Sequence, residues 1–338
     1  MQLSLAQISS VTTGAVRILQ EEDGIHFYRF TREQEEMYRL RNEDFYGRSF
    51  PPAGVCLRFR TNSEKLFVKI KVDSGKVRSF FALDVTVNGV LHSLNNFRDI
   101  APEGNYGEQE YPYGEFEKEF DLGAGEKQIR IDLPWSVRTA LQALTLDDGA
   151  TLIPELPEKK ALIFGDSITH GADAMHPANR YISRFCRYLG AAEYCKAISG
   201  EFFWPELANT GEDFAPDYIT VAYGTNDWSK IAFEELQVNC IGFFRNLVNN
   251  YPETEIIVIT PIWRADEIEK ARQVPLTAVH DLICETVKQY PNVVLISGRQ
   301  AVPHDPAYFG DLRLHPNDNG FDHYYNHLVK EYEKRAKQ

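Results

Sequence analysis

Apolar and polar residues alternate with a period of two through much of the first 150 positions. Val55, Leu57 and Phe59 alternate with Cys56, Arg58 and Arg60; Leu66, Val68, Ile70 and Val72 with Phe67, Lys69 and Lys71; Leu83, Val85 and Val87 with Asp84 and Thr86. Such alternation predicts half-buried strands of an antiparallel sheet. Asn88-Gly89 then precedes Val90-Leu91-His92, a hairpin signal because both turn positions need positive φ. Gly123-Ala-Gly125 separates Phe116–Leu122 from Ile129, Ile131 and Leu133, Pro134-Trp135 breaks the alternation, and Leu141–Leu146 supplies a further strand. Short strands joined by glycine-containing turns predict an all-β sandwich or jelly roll over residues 1–150.

The pattern changes at Asp147-Asp-Gly-Ala150 followed by Pro154-Glu-Leu-Pro-Glu-Lys-Lys160, a polar, proline-rich region in which 151–158 is the predicted linker. From 159 to 338, short apolar runs alternate with amphipathic segments, which predicts an α/β domain of flavodoxin-like type, a parallel sheet covered by helices. The expected strands are Ala161–Phe164, Tyr194–Ala197, Tyr218–Ala222, Glu255–Thr260 and Val293–Ile296. Helices are expected over Arg180–Leu189 and Phe233–Val248, along the face of Leu276, Val279, Ile283 and Val287, and from about Gly320.

Composition narrows the function. The 338-residue chain has 49 acidic against 36 basic residues and a formal charge of −13, which argues against nucleic acid as a partner. No run approaches the ~18 apolar residues that span a bilayer, and residues 1–20 lack the basic and apolar segments of a secretory leader, so a cytoplasmic protein without a membrane partner is expected. The five cysteines are scattered without CxxC spacing, so free thiols are expected rather than disulfides or zinc. An oligomer is compatible with this composition.

Candidate chemistry collects behind the predicted strands. Gly165-Asp166-Ser167 follows the first, where a serine at a strand-to-helix turn exposes its hydroxyl and aims its own N–H at an incoming carbonyl oxygen. Helix capping by Asp166 and Ser167 is the alternative role. Ser199-Gly200 follows the second strand, Gly224-Thr-Asn226-Asp227 the third, and His315-Pro-Asn-Asp318 lies beyond the last; in an open α/β sheet these converge at one edge. A serine hydroxyl needs a neutral imidazole to take its proton, and His315 is the candidate base.

Taken in order, Gly165-Asp-Ser167, Gly200, Gly224-Thr-Asn226-Asp227 and His315-Pro316 resemble the four sequence blocks of the SGNH (GDSL-type) hydrolases. The preceding β region resembles that of two-domain carbohydrate acetyl esterases. The resemblance implies a serine esterase without a cofactor or metal, acting on short-chain, mainly acetyl, esters of a carbohydrate or similar polyol, a small-molecule or oligosaccharide substrate. It implies an oxyanion hole from Ser167, Gly200 and Asn226. In one respect the chain departs from the family: the aspartate expected three residues before the histidine is replaced by Leu312, and the nearest acid, Asp311, is four before. Either Asp311 or a backbone carbonyl orients His315. A thioesterase or lysophospholipase of the same fold, and an inert carbohydrate-binding protein, are the alternatives.

Trp204 and Trp263 are candidates for substrate binding, with core packing as their other role. Asp173, His176 and His304 fall in loops of the active face. His323 and His327 stand four apart on a predicted helix, yet without the glutamate of an HExxH zinc site. No GxSxG elbow, P-loop or GxGxxG fingerprint occurs, which disfavours common α/β-hydrolases, NTPases and dinucleotide enzymes.

Overall fold

The structure is a computed structural model and describes residues 1–97, 109–267 and 273–335. Two antiparallel sheets face each other in its first half. One has the strand order Thr12–Thr13, Cys56–Thr61, Lys127–Asp132, Ala82–Val87, Val90–Asn95. The other runs Arg17–Glu21, Gly24–Tyr28, Val137–Leu146, Lys65–Ser74, Gly114–Asp121. Leu66, Val68, Ile70 and Val72 are fully buried against Leu57, Phe59, Leu83, Val85, Ile129 and Ile131 from the opposite sheet. Each such side chain contributes about 1.5–3 kcal/mol, and a one-residue slip would put Lys69 and Lys71 in their place, so the alternation fixes the register.

Asn88 and Gly89 both have positive φ, 48° and 88°, and make the tight hairpin between Val87 and Val90. The glycines at 123 and 125 do something else. They carry the chain from one sheet to the other, because Gly114–Asp121 pairs with Lys65–Ser74 while Lys127–Asp132 pairs with Cys56–Thr61.

The first 150 residues are not all strand. Helices occupy Leu5–Ser10, Arg32–Arg41 and Glu43–Arg48. The second is announced by a capping box: the Thr31 side chain accepts from the Gln34 N–H, and the Gln34 side chain accepts from the Thr31 N–H. Phe30, Tyr38 and Phe45 leave the sandwich core and pack with Leu162, Phe164, Phe203 and Trp228 of the second half. The stretch expected as a linker is also held, since Ile153 and Pro154 pair with Arg60 and Phe59.

The second half contains a five-stranded parallel sheet ordered Ala191–Cys195, Lys159–Gly165, Tyr218–Ala222, Glu255–Ile259, Val293–Ile296. Numbered within the domain this is 2-1-3-4-5, the flavodoxin-like order, with its topological switch between the first and third strands. Helices Tyr181–Tyr188 and Asp318–Arg335 cover one face, with Tyr181 and Tyr324 stacked at 4.0 Å; Phe233–Asn250 and Leu276–Val287 cover the other. The second strand begins three residues earlier than expected and ends at Cys195, so that Ala197 already belongs to the loop leading to Gly200.

The halves are joined by buried polar groups. Arg29 is 1% exposed and donates to the carbonyls of Pro51, Cys195 and Ala197, Trp135 donates from Nε1 to Ala174 O at 2.8 Å, and Asp84 Oδ1 lies 2.8 Å from His176 Nδ1. Four of the five cysteines are buried and all are free. Among the described residues no helix is long and apolar enough to cross a membrane.

Candidate active site

The strand Lys159–Gly165 is hydrogen-bonded on both sides and ends against a four-residue helix, Ser167–His170. Gly165 allows the turn, because a Cβ there would meet Thr169 Oγ1 at 2.4 Å. Capping and chemistry are divided between the residues of this turn: Asp166 caps, accepting the Ile168 N–H at 2.9 Å, while the Ser167 hydroxyl points to His315. Ser167 Oγ lies 2.8 Å from His315 Nε2, and His315 Nδ1 lies 2.7 Å from Asp311 Oδ2.

Asp311 is where the sequence departs from the family pattern, and the backbone absorbs the change. Leu312 adopts a left-handed φ of 56°, which curls the following residues around the carboxylate. Oδ1 accepts the N–H groups of Arg313, Leu314 and His315 at 3.0, 2.7 and 3.0 Å, and leaves Oδ2 for the imidazole. Burial raises the affinity of this carboxyl for a proton. The His315 hydrogen bond and charge, with the N–H groups of Leu314 and His315, outweigh burial and hold it well below the usual carboxylate range.

Gly200 lies in the loop after Ala191–Cys195 with a φ of 88°, a conformation that suits glycine. That loop is held by His170, whose Nδ1 accepts the Ser199 N–H at 3.2 Å and lies 3.1 Å from Ser199 Oγ. Burial, then the charges of Arg29, Arg180 and Arg48, push the His170 imidazole well below its ordinary pKa, which keeps it a neutral acceptor. Asn226 lies near the start of helix Thr225–Lys230 and gives one Nδ2 hydrogen to Glu201 O at 2.9 Å, leaving the other. Its neighbour Asp227 accepts the Phe203 N–H at 3.0 Å, and burial pushes its carboxyl up to about 7.

Ser167, Gly200, Asn226 and His315 line one cavity of about 390 Å³. Arg48, Lys76, Val77 and Arg78, all from the first half of the chain, complete its wall. Trp204 and Trp263 are not among its lining residues. Trp204 packs edge-on to Tyr38 at 5.0 Å under the Arg41 guanidinium, and Trp263 stacks on His304 at 5.1 Å; both residues are half-buried. Of the loop candidates, His176 joins the halves through Asp84, His304 lies 2.8 Å from Arg299 O, and Asp173 is buried behind the relay, with Oδ2 4.0 Å from His315 Nδ1 and Oδ1 on Arg78 at 2.7 Å.

Asp173, Asp311 and His315 bring three ligand atoms within 4.8 Å of one another, as do Glu21, Asp23 and His26 on the sandwich. In the first group Asp311 Oδ1 is engaged by three N–H groups and Arg78 neutralises Asp173, so the surroundings suit an imidazolium better than a dication. His323 and His327 are separately engaged, by the Tyr308 ring and by Ser297 O, and neither joins such a group among the described residues. Arg48 and His170 carry no sequence signal as parts of this site, because each acts through a contact made only in the fold; Asp173 is marked in the sequence by its loop position alone, and Leu312 only as a departure from the family pattern.

Residues 163–323 match the GDSL-like Lipase/Acylhydrolase family. The chain has a GDSL/SGNH-type hydrolase fold. Its parallel sheet and the antiparallel sheets before it recur in solved structures over almost their full length. A salicylyl-acyltransferase, SsfX3, from a tetracycline biosynthetic pathway is 21% identical with a TM-score of 0.77, covering 96% of this chain and 94% of that one. A GDSL-like lipase from Bacteroides ovatus is 21% identical with a TM-score of 0.76, covering 100% and 98%. A family two carbohydrate esterase from Cellvibrio japonicus is 17% identical with a TM-score of 0.65, covering 99% and 97%. No curated protein matches the sequence.

Proposed function

We propose that this SGNH-type hydrolase is a serine esterase that removes short acyl groups, acetyl above all, from a carbohydrate or similar polyol through an acyl-serine intermediate. The observation that carries the reading is the unbroken relay from Asp311 Oδ2 through His315 to Ser167 Oγ. Asp311 accepts from Nδ1–H and so leaves Nε2 unprotonated towards the serine. Ser167 Oγ attacks the ester carbon while its proton passes to Nε2. The tetrahedral oxyanion is met by the N–H groups of Ser167 and Gly200 and the second Nδ2 hydrogen of Asn226. The carbon–oxygen bond to the alcohol then breaks as His315 returns the proton to that oxygen. Water repeats the sequence on the acyl-serine, giving its proton to His315, and the carboxylic acid leaves as Ser167 recovers its hydrogen.

The cavity favours a short acyl group over a lipid chain, because Val77, Ala172 and Leu314 are the only aliphatic side chains among the described residues of its lining. That separates the proposal from a lysophospholipase or a long-chain thioesterase. The carbohydrate acceptor is supported by the resemblance to the Cellvibrio esterase, and the first half of the chain supplies one wall of the cleft. A binding protein would have no use for nucleophile, base and oxyanion donors together.

Purified protein assayed against p-nitrophenyl acyl esters and acetylated sugars tests the reading. Acetyl esters should be the best substrates, a fluorophosphonate should label Ser167 alone, and Ser167→Ala should lose activity by several orders of magnitude while keeping its fold. A folded Ser167→Ala protein with most of its activity would sink the proposal.

A further inference from the structure

The same cavity is lined by Arg48, Lys76, Arg78, Lys230, Arg264 and Arg313, with neither aspartate nor glutamate among the described residues of its lining. In a chain of charge −13 this concentration of cations is against the overall trend. Four of the six have a carboxylate within 4.0 Å. Arg78 pairs with Asp173 at 2.7 Å, Arg264 grips both oxygens of Asp266 at 2.5 and 3.0 Å, and Arg313 lies 3.8 Å from both Asp266 and Asp311. Lys76 is exposed and comes no nearer than 3.9 Å to Asp44.

Arg48 and Lys230 are different. Among the described residues neither forms an ion pair. Arg48 donates only to the carbonyls of Lys76 and Ser199, at 3.0 and 2.8 Å, and Lys230 to the carbonyl of Gly200 at 3.1 Å. Both lean on the α-carbon of Gly200, where a Cβ would sit 2.9 Å from Arg48 Nη1 and 3.3 Å from Lys230 Nζ. Two like charges are thus held together beside the oxyanion position with donors to spare: Nη2 of Arg48 and two hydrogens of Lys230. Asp44 and Glu201 act on Arg48, and Asp166, Glu201 and Asp227 on Lys230, only from beyond ion-pair distance; a guanidinium beside an ammonium with no carboxylate in direct contact is a poor arrangement until an anion fills it, and charge-assisted bonds to such an anion are strong.

We propose that the acylated sugar taken by this site is itself anionic, and that Arg48 and Lys230 hold its carboxylate or phosphate. The turnover part of the proposal rests on the serine-esterase reading; the binding part does not. Acetylated glucose, acetylated glucuronic acid and acetylated glucose 6-phosphate serve as neutral, carboxylate and phosphate probes. Calorimetry with the Ser167→Ala protein measures binding without turnover, and kcat/KM on the unaltered enzyme measures hydrolysis.

At least one anionic probe should bind about ten-fold or more tighter than the neutral one, with a preference that shrinks as salt is added. Which of the two is preferred separates carboxylate from phosphate. Lys230→Gln, at an exposed position, and Arg48→Gln should each lower the ratio of anionic to neutral affinity. If Ser167→Ala protein binds the neutral sugar as tightly as both anions, the proposal fails, whether or not the enzyme is active. It fails equally if the variants lower turnover of all three probes in proportion, which would make the two cations supports of the common oxyanion. Absence of hydrolysis with anion-selective binding would instead overturn the esterase reading and leave this one standing.

Discussion

Asp311 and His315 are joined twice: Oδ2 of the carboxylate lies 2.7 Å from the ring Nδ1, and Oδ1 accepts the backbone N–H of the same histidine at 3.0 Å. The side chain therefore fixes both the ring and the loop that carries it. In Asp311→Asn the amide oxygen can keep the backbone bonds, but its NH₂ then faces Nδ1 and forces the proton onto Nε2. The serine loses its acceptor. We expect kcat to fall by roughly 10³–10⁴ with little change in melting temperature. Steady-state kinetics decide the matter, and a loss under about ten-fold would assign the orienting role to a backbone carbonyl.

The left-handed Leu312 is 43% exposed, so its side chain contributes little burial to offset its backbone strain. Leu312→Gly removes roughly 1 kcal/mol of strain and adds a similar entropy to the unfolded chain. Stability and kcat should both stay near those of the parent. Leu312→Val, a β-branched residue at positive φ, should lower kcat because the carboxylate nest can no longer close. Equal kinetics for the two variants would mean that the nest does not matter to the relay.

Acid–base behaviour should show in stability. Burial pushes Asp227 up to about 7 and Asp166 to about 6, against an ordinary value near 3.8. A carboxyl that holds its proton more tightly when folded stabilises fully below its unfolded pKa, and that contribution is lost as pH rises towards the folded value. Melting temperature should therefore decline between about pH 4 and 7, with about 1.4 kcal/mol at stake for every tenfold gain in proton affinity on folding. Asp311, held low, acts in the opposite sense: its contribution is present above the ordinary carboxylate range and disappears on acidification. Asp227→Asn, which can still accept the Phe203 N–H, should flatten the upper part of the decline; an unchanged slope would remove Asp227 as its source.

The α/β half should not stand by itself. Tyr38 is fully buried, 5.3 Å from Phe30 and 5.0 Å from Trp204, in the core of the parallel-sheet domain. Tyr38→Ala should cost about 3–5 kcal/mol by denaturant titration. A fragment of residues 156–338 lacks Phe30, Tyr38, Phe45 and Arg29 together and should be insoluble or molten. A fragment that melts cooperatively near the temperature of the whole chain would show that these contacts are dispensable.

Much of this architecture can be read from periodicity because the physics is local. Strands such as Tyr218–Ala222 and Val293–Ile296 are short, apolar and bounded by turn residues, and they lie within the limits expected for them. Helix Arg32–Arg41 is marked by its Thr31–Gln34 capping box and by Glu33 and Glu35 in its first turn with Arg39 and Arg41 in its last, while its apolar residues are few and serve a core formed largely by sequence more than 120 residues away. The relay is harder still. Whether Asp311 reaches His315 depends on the φ of Leu312, which no residue type announces. The basic lining of the cavity is hidden for a related reason, since Arg48, Lys76 and Arg78 are distant in sequence from Ser167 and the overall charge points the other way.

The distance of Ser167 from its base along the chain has a consequence for synthesis. The serine, its oxyanion partners and the first wall of the cleft are all translated before residue 230, while Asp311 and His315 come some 80 residues later. On the proposed mechanism a nascent chain has a serine with no acceptor for its proton and should not react with esters. If the proposed relay operates, reactivity should appear only once the loop at 311–315 has docked, so the appearance of fluorophosphonate labelling on ribosome-bound chains of increasing length would time the closure of this domain.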